Sequence, residues 1–104
     1  MTTGETGTPV VLIARMTARP GREKELRDAL APLVAATRQE EGCLTYVPHQ
    51  SLDDPGPVVM HEVWQNEERL RAHSQSEHLR AFAERAGELT DGGIRIERLR
   101  VLDV

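Results

Sequence analysis

The spacing of apolar residues switches between two periods along this chain, and the order of the switches constrains the fold more than any other feature. Val10 to Ala18 alternates, with Leu12, Ala14 and Met16 on one face and Val11, Ile13 and Arg15 on the other, so it reads as a strand. Arg19-Pro20-Gly21 ends it as a turn. From about Arg22 to Glu40, Leu26, Ala29, Leu30, Leu33, Val34 and Thr37 recur at helical spacing, with acids in the first turns to complement the helix dipole. Pro32 predicts a kink in that helix, and Gly42 is its expected C-cap. Cys43 to Ser51 and Val58 to Trp64 read as two strands joined by the turn Asp53-Asp54-Pro55-Gly56-Pro57, which implies an antiparallel hairpin. Asn66 or Glu67 opens a short helix to about His73. Ser74 or Ser76 caps another to about Leu89, with Leu79, Phe82, Ala83, Ala86 and Leu89 as its buried stripe. Asp91-Gly92-Gly93 closes it, and Ile94 to Val104 is the last strand, where a phase change near Glu97-Arg98 predicts a bulge or bend.

That order, βαββαβ, is the ferredoxin-like α+β arrangement: an antiparallel four-stranded sheet with its helices on one face. The other face would carry Val11 and Ile13 into solvent unless a second subunit covered it. A chain of 104 residues forms one domain and buries roughly 65% of its unfolded surface. With aromatic residues at 3%, Leu, Val, Ile and Ala must fill a thin core, which favours a homodimer paired through the bare sheet faces. Residues 1–8 are rich in Thr and Gly and are expected to be a disordered tail, leaving 9–104 as the domain.

The net charge of −4, with Lys and Arg interleaved among acids as in Arg22-Glu23-Lys24-Glu25, leaves no basic stripe for nucleic acid. No apolar run approaches the ~18 residues that cross a bilayer, so no membrane partner is expected. The N-terminus lacks the basic and apolar regions of a secretory signal, and the lone Cys43 cannot form an internal disulfide, so the chain reads as cytoplasmic. Cys43 fits a small hydrophobe at a strand start better than a catalytic thiol.

The functional signal lies between Glu40 and His73, where the single Trp64 and the single Tyr46 fall near histidines and a carboxylate. Alternation puts Met60, Glu62 and Trp64 on one face of their strand, and Leu44, Tyr46 and Pro48 on one face of the neighbouring strand. On the short helix Leu70 and His73 are three apart and point together toward the core. Each residue also has a structural reading. Trp64 and Tyr46 can simply pack, and His73 can serve the helix dipole. Glu62 is harder to explain away, because a buried carboxylate needs a partner. His49, His61 and His78 read as structural. His73 and His78 are five apart and diverge on a continuous helix, and no H-x-x-x-H, H-E-x-x-H or C-x-x-C occurs, so no metal is expected. There is no glycine-rich phosphate loop and no defensible Ser-His-Asp order.

Four runs in this order, Ala18-Arg19-Pro20-Gly21-Arg22-Glu23, Thr37 to Tyr46, His61-Glu62-Val63-Trp64 and Ala72 to Leu79, resemble the antibiotic biosynthesis monooxygenase domain family. The resemblance covers about Pro9 to Leu102. It implies a dimeric α+β barrel, with two sheets packed face to face and a pocket in each subunit between sheet and helices. It also implies oxidation of a phenol, quinol or polycyclic aromatic by O₂ without metal, flavin or other cofactor. Other branches degrade haem or isomerise small metabolites. The haem-degrading branch resembles a trio of Asn, Trp and axial His, and the positions aligned with these are Ala14, His73 and Ala83, which all depart from it. The expected catalytic residues are His73 as base, with Glu62 and Tyr46 orienting it or the substrate; Trp64, Phe82, Met60, Leu44 and Leu70 are the expected substrate-binding wall. The alternatives are a non-enzymatic binder of a hydrophobic metabolite, or a small-metabolite isomerase.

Overall fold

The computed structural model describes residues 7–104, so the tail expected over 1–8 lies outside the described residues as far as position 6. Its elements run β1 (Val10–Thr17), α1 (Glu23–Thr37), β2 (Cys43–Gln50), β3 (Pro57–Trp64), α2 (Glu67–Ser74), α3 (Glu77–Leu89) and β4 (Arg95–Leu99). The four strands form one antiparallel sheet in the order β2-β3-β1-β4, the ferredoxin-like topology that the periodicity implies. The buried residues of β1 are Val10, Leu12, Ala14 and Met16, and those of β3 are Val58, Met60, Glu62 and Trp64, each set on one face by strict alternation.

The helices cover that face. In α1 the buried positions are Leu26, Leu30, Leu33 and Thr37, spaced four, three and four apart. Burying each leucine contributes about 2 kcal/mol. In α3 they are Phe82, Ala86 and Leu89, while Ala83 is exposed and does not join the stripe. The outward face of the sheet carries Val11, Ile13, Thr45, Val47, Val59, His61 and Val63, partly or wholly accessible in the single chain. No described helix is long and apolar enough to cross a membrane.

Several expectations need correction. The first helix ends at Thr37, not Glu40. Residues 38–42 form a separate turn, with Glu40 N donating to Thr37 O at 2.9 Å and Cys43 N to Glu40 O at 3.2 Å. Gly42 therefore closes this turn and does not cap α1. Its φ of +87° is a backbone conformation only glycine adopts readily, and a Cβ there would meet the Arg69 side chain at 2.3 Å. The bulge expected in β4 is absent, because its register with β1 runs unbroken from Val11↔Leu99 to Arg15↔Arg95. Ile96 pairs with Ala14 and Leu99 with Val11, so β4 simply carries apolar residues on both faces. Beyond Leu99 the chain is not strand. A register shift falls instead between Cys43 and Thr45 at the start of β2.

Candidate active site

Cross-strand pairing builds the floor of the site. Tyr46 on β2 pairs with Glu62 on β3, Cys43 with Trp64, and Glu62 in turn with Leu12 on β1. Tyr46, Glu62 and Trp64 thus share the helix-covered face, all buried. The Trp64 Nε1–H donates to Glu62 Oε1 at 2.9 Å, which gives the enclosed carboxylate a partner. His73, near the end of α2, lies over this floor and is itself buried. Its ring stands 4.6 Å from that of Trp64 at 32° and 5.4 Å from that of Tyr46 at 68°. Tyr46 and Trp64 meet edge to face at 6.4 Å.

Behind His73 stands Glu40, presented by the turn after α1. Its Oε2 lies 2.7 Å from His73 Nδ1 and 2.7 Å from His78 Nε2. Exposure rises across the three side chains, from 4% at His73 to 16% at Glu40 and 27% at His78. Each offers one ligand-type atom, and these three atoms lie within 4.8 Å of one another. The expected divergence of the two histidines is wrong, because α2 and α3 are not one helix. The Ser76 Oγ accepts from Leu79 N, the chain restarts at Glu77, and the break turns His78 back toward Glu40. Glu40 and His78 are therefore the residues that sequence reasoning missed. The Ser76 cap between the histidines was the signal that a continuous-helix angle did not apply.

Burial dominates the titration of these groups. It pushes the Glu62 carboxyl up to about 7, with Glu40's charge adding and the Trp64 N–H opposing. It lowers the His73 imidazole, against the pull of Glu40, while His78 lowers it further. The Tyr46 phenol is pushed up by burial and by the charge on Glu62. The Cys43 thiol is likewise raised, by burial and then by Glu40 and Glu62, which does not favour a thiolate nucleophile.

The expected wall residues separate into three groups. Met60 and Trp64 are fully enclosed, and Leu70 is half-buried against the core. Phe82 is buried but also borders a groove of about 310 Å³ between α1 and α3, whose other borders include Ala29, Pro32, Leu33 and His78. Leu44 must be withdrawn from the Tyr46 face: the register shift at the start of β2 leaves it 60% exposed. The Trp64 and His73 rings touch, so the space between them is filled by the rings themselves. His78, bonded to Glu40, is the member of the cluster that borders the α1–α3 groove.

The sequence profile of the antibiotic biosynthesis monooxygenases matches residues 9–85. The chain belongs to that family. Rv0793 of Mycobacterium tuberculosis is 33% identical over 95 residues, which span 91% of this chain and 93% of that protein. The Escherichia coli protein named probable quinol monooxygenase YgiN is 32% identical over 99 residues, covering 84% of this chain and 94% of its own length. Among solved structures, Rv0793 superposes with a TM-score of 0.85 at 32% identity, over 93% of this chain and 98% of that one. PA3566 from Pseudomonas aeruginosa does so with a TM-score of 0.87 at 36% identity, over 96% of this chain and all of that one (100%). Family membership makes this a monooxygenase-type protein, and its buried aromatic and acid–base groups lie on the helix-covered face of the sheet.

Proposed function

We propose that this protein oxidises an electron-rich phenol, hydroquinone or polycyclic aromatic with O₂, unaided by a cofactor, and works as a homodimer paired through its outward sheet faces. The observation that carries the reading is the dyad of His73 Nδ1 and Glu40 Oε2 at 2.7 Å, set against Tyr46 and Trp64 in a member of this family. The likeness to a protein named for quinol oxidation supports the substrate class.

Substrate enters along the α1–α3 groove over Phe82 and reaches His73 past His78. His73 accepts the phenolic proton, and Glu40 steadies the imidazolium that forms. The substrate anion passes one electron to O₂, giving a phenoxyl radical and superoxide. These combine at a ring carbon bearing hydrogen, the proton returns from His73 to the peroxide, and the hydroperoxide loses water to leave a quinone carbonyl. The enclosed, largely apolar surroundings suit this path, since water would quench the anion. Tyr46 and the Trp64-bound Glu62 hold the ring and the base in register.

Aerobic incubation of metal-free protein with hydroquinones and anthrones, followed by an oxygen electrode, tests this. His73→Ala is expected to lower turnover by roughly 10²–10⁴-fold, the usual worth of a positioned general base, with folding unchanged by circular dichroism. An unaltered rate removes His73 from the reaction. A second reading, a non-catalytic binder of an apolar metabolite, is favoured by the apolar groove that Ala29, Pro32, Leu33 and Phe82 line between α1 and α3. Tight binding without oxygen consumption across the panel would establish it.

A further inference from the structure

The oxidation needs one imidazole backed by one carboxylate, yet a second imidazole closes on the same oxygen. His73 Nδ1 and His78 Nε2 each lie 2.7 Å from Glu40 Oε2. We propose that Glu40, His73 and His78 form a binding site for a divalent cation of borderline softness, Zn²⁺ or a late first-row neighbour, and that a cation held there switches the base off.

Three observations support the site. The donor set of two imidazole nitrogens and one carboxylate oxygen is the one such cations select, whereas Mg²⁺ and Ca²⁺ prefer cages of oxygen. The three donors come from separate elements, the turn after α1, the end of α2 and the first turn of α3, so none is forced into place by its neighbour in sequence. Their ligand atoms already lie within 4.8 Å of one another. A tetrahedral ion about 2.0–2.2 Å from each donor holds neighbouring donors roughly 3.3 Å apart. Each ring therefore draws back from the carboxylate by about half an ångström while the two ring nitrogens, within 4.8 Å of each other, close by up to about 1.5 Å, a side-chain adjustment of the part-exposed His78. His78 and Glu40 are part-exposed, which leaves a coordination position open to water from the groove.

Charge and protons fit the same picture. Without metal, one carboxylate faces two imidazoles, each pair joined by a hydrogen bond. A cation takes the place of the shared protons, so protons and metal compete for the cluster. Coordination through Nδ1 leaves the ring hydrogen of neutral His73 on Nε2. The ring then has no lone pair to receive a substrate proton. The switch-off rests on the reading of His73 as base; the binding does not.

Isothermal titration of tag-free, metal-stripped protein with Zn²⁺, Ni²⁺ and Mg²⁺ tests the site without reference to any substrate. The expected result is one Zn²⁺ per chain and a raised melting temperature. Affinity should fall at least tenfold in His78→Ala and in Glu40→Gln and stay unchanged in His49→Ala, and Mg²⁺ should not bind. His78→Gln serves in place of His78→Ala should the latter not fold. Zn²⁺ and Mg²⁺ binding alike, or wild-type Zn²⁺ affinity in the His78 and Glu40 variants, overturns the site. With an active substrate in hand, Zn²⁺ should abolish oxygen uptake and a chelator restore it; bound Zn²⁺ with undiminished uptake overturns the switch alone.

Discussion

Folding changes the chemistry of Glu62 in a pH range where the protein can be studied. Its carboxyl moves from an ordinary 4.5 to about 7. Between those values the folded protein holds a proton that the unfolded chain has released. Stability therefore falls as pH rises from about 4.5 to about 7 and is level above, by on the order of 3 kcal/mol for this group. His73 works the other way: its lowered imidazole costs stability as pH falls below 6.5. Because His73 is present in both proteins, the difference between wild type and Glu62→Gln isolates the carboxyl. Urea denaturation at a series of pH values should show the Glu62 slope lost in the variant; parallel curves would mean that Glu62 is ionised throughout. The sequence disclosed Tyr46, Glu62, Trp64 and His73 as neighbours because alternation and helical spacing fix which face a side chain takes. Glu40 was not legible. It belongs to a turn closed by Gly42, and a turn has no period from which direction can be read.

At the level of elements, the break between α2 and α3 decides the site. One helix through residues 67–89 would send His78 away from Glu40; the Ser76 cap ends that continuity, with its Oγ accepting from Leu79 N at 3.3 Å. Ser76→Ala is expected to cost about 1 kcal/mol, a fall of about 5 °C in melting temperature for a domain of this size. Calorimetry would register it, and a change under about 1 °C would show that the contacts of Glu40 hold the break without the cap. The order of elements was read correctly from the sequence, and the cap was one of two candidates named for it. Pro32 lies within a helix that continues past it, as expected of a proline that does not break its helix. The bulge in β4 was wrong, because β4 carries apolar residues on both faces, which imitates a slip in phase.

For the molecule as a whole, the outward sheet face is the feature a lone chain leaves unanswered. Val11, Val63 and Thr45 form one row across it, and Ile13, His61 and Val47 form the next. The thin, aromatic-poor composition signalled this surface, although it could not say how two copies would meet. Placing a charge at its centre, as in Val63→Lys, should yield a folded monomer by light scattering after size exclusion. A dimer of unchanged mass would exclude this face as the contact. On β2 and β3 the same strands present Tyr46, Glu62 and Trp64 inward and Val47, His61 and Val63 outward, one residue apart. Anything that grips the outer rows thereby stiffens the pedestal beneath the reacting groups, so dilution far enough to separate the copies should lower the specific rate before any chain unfolds.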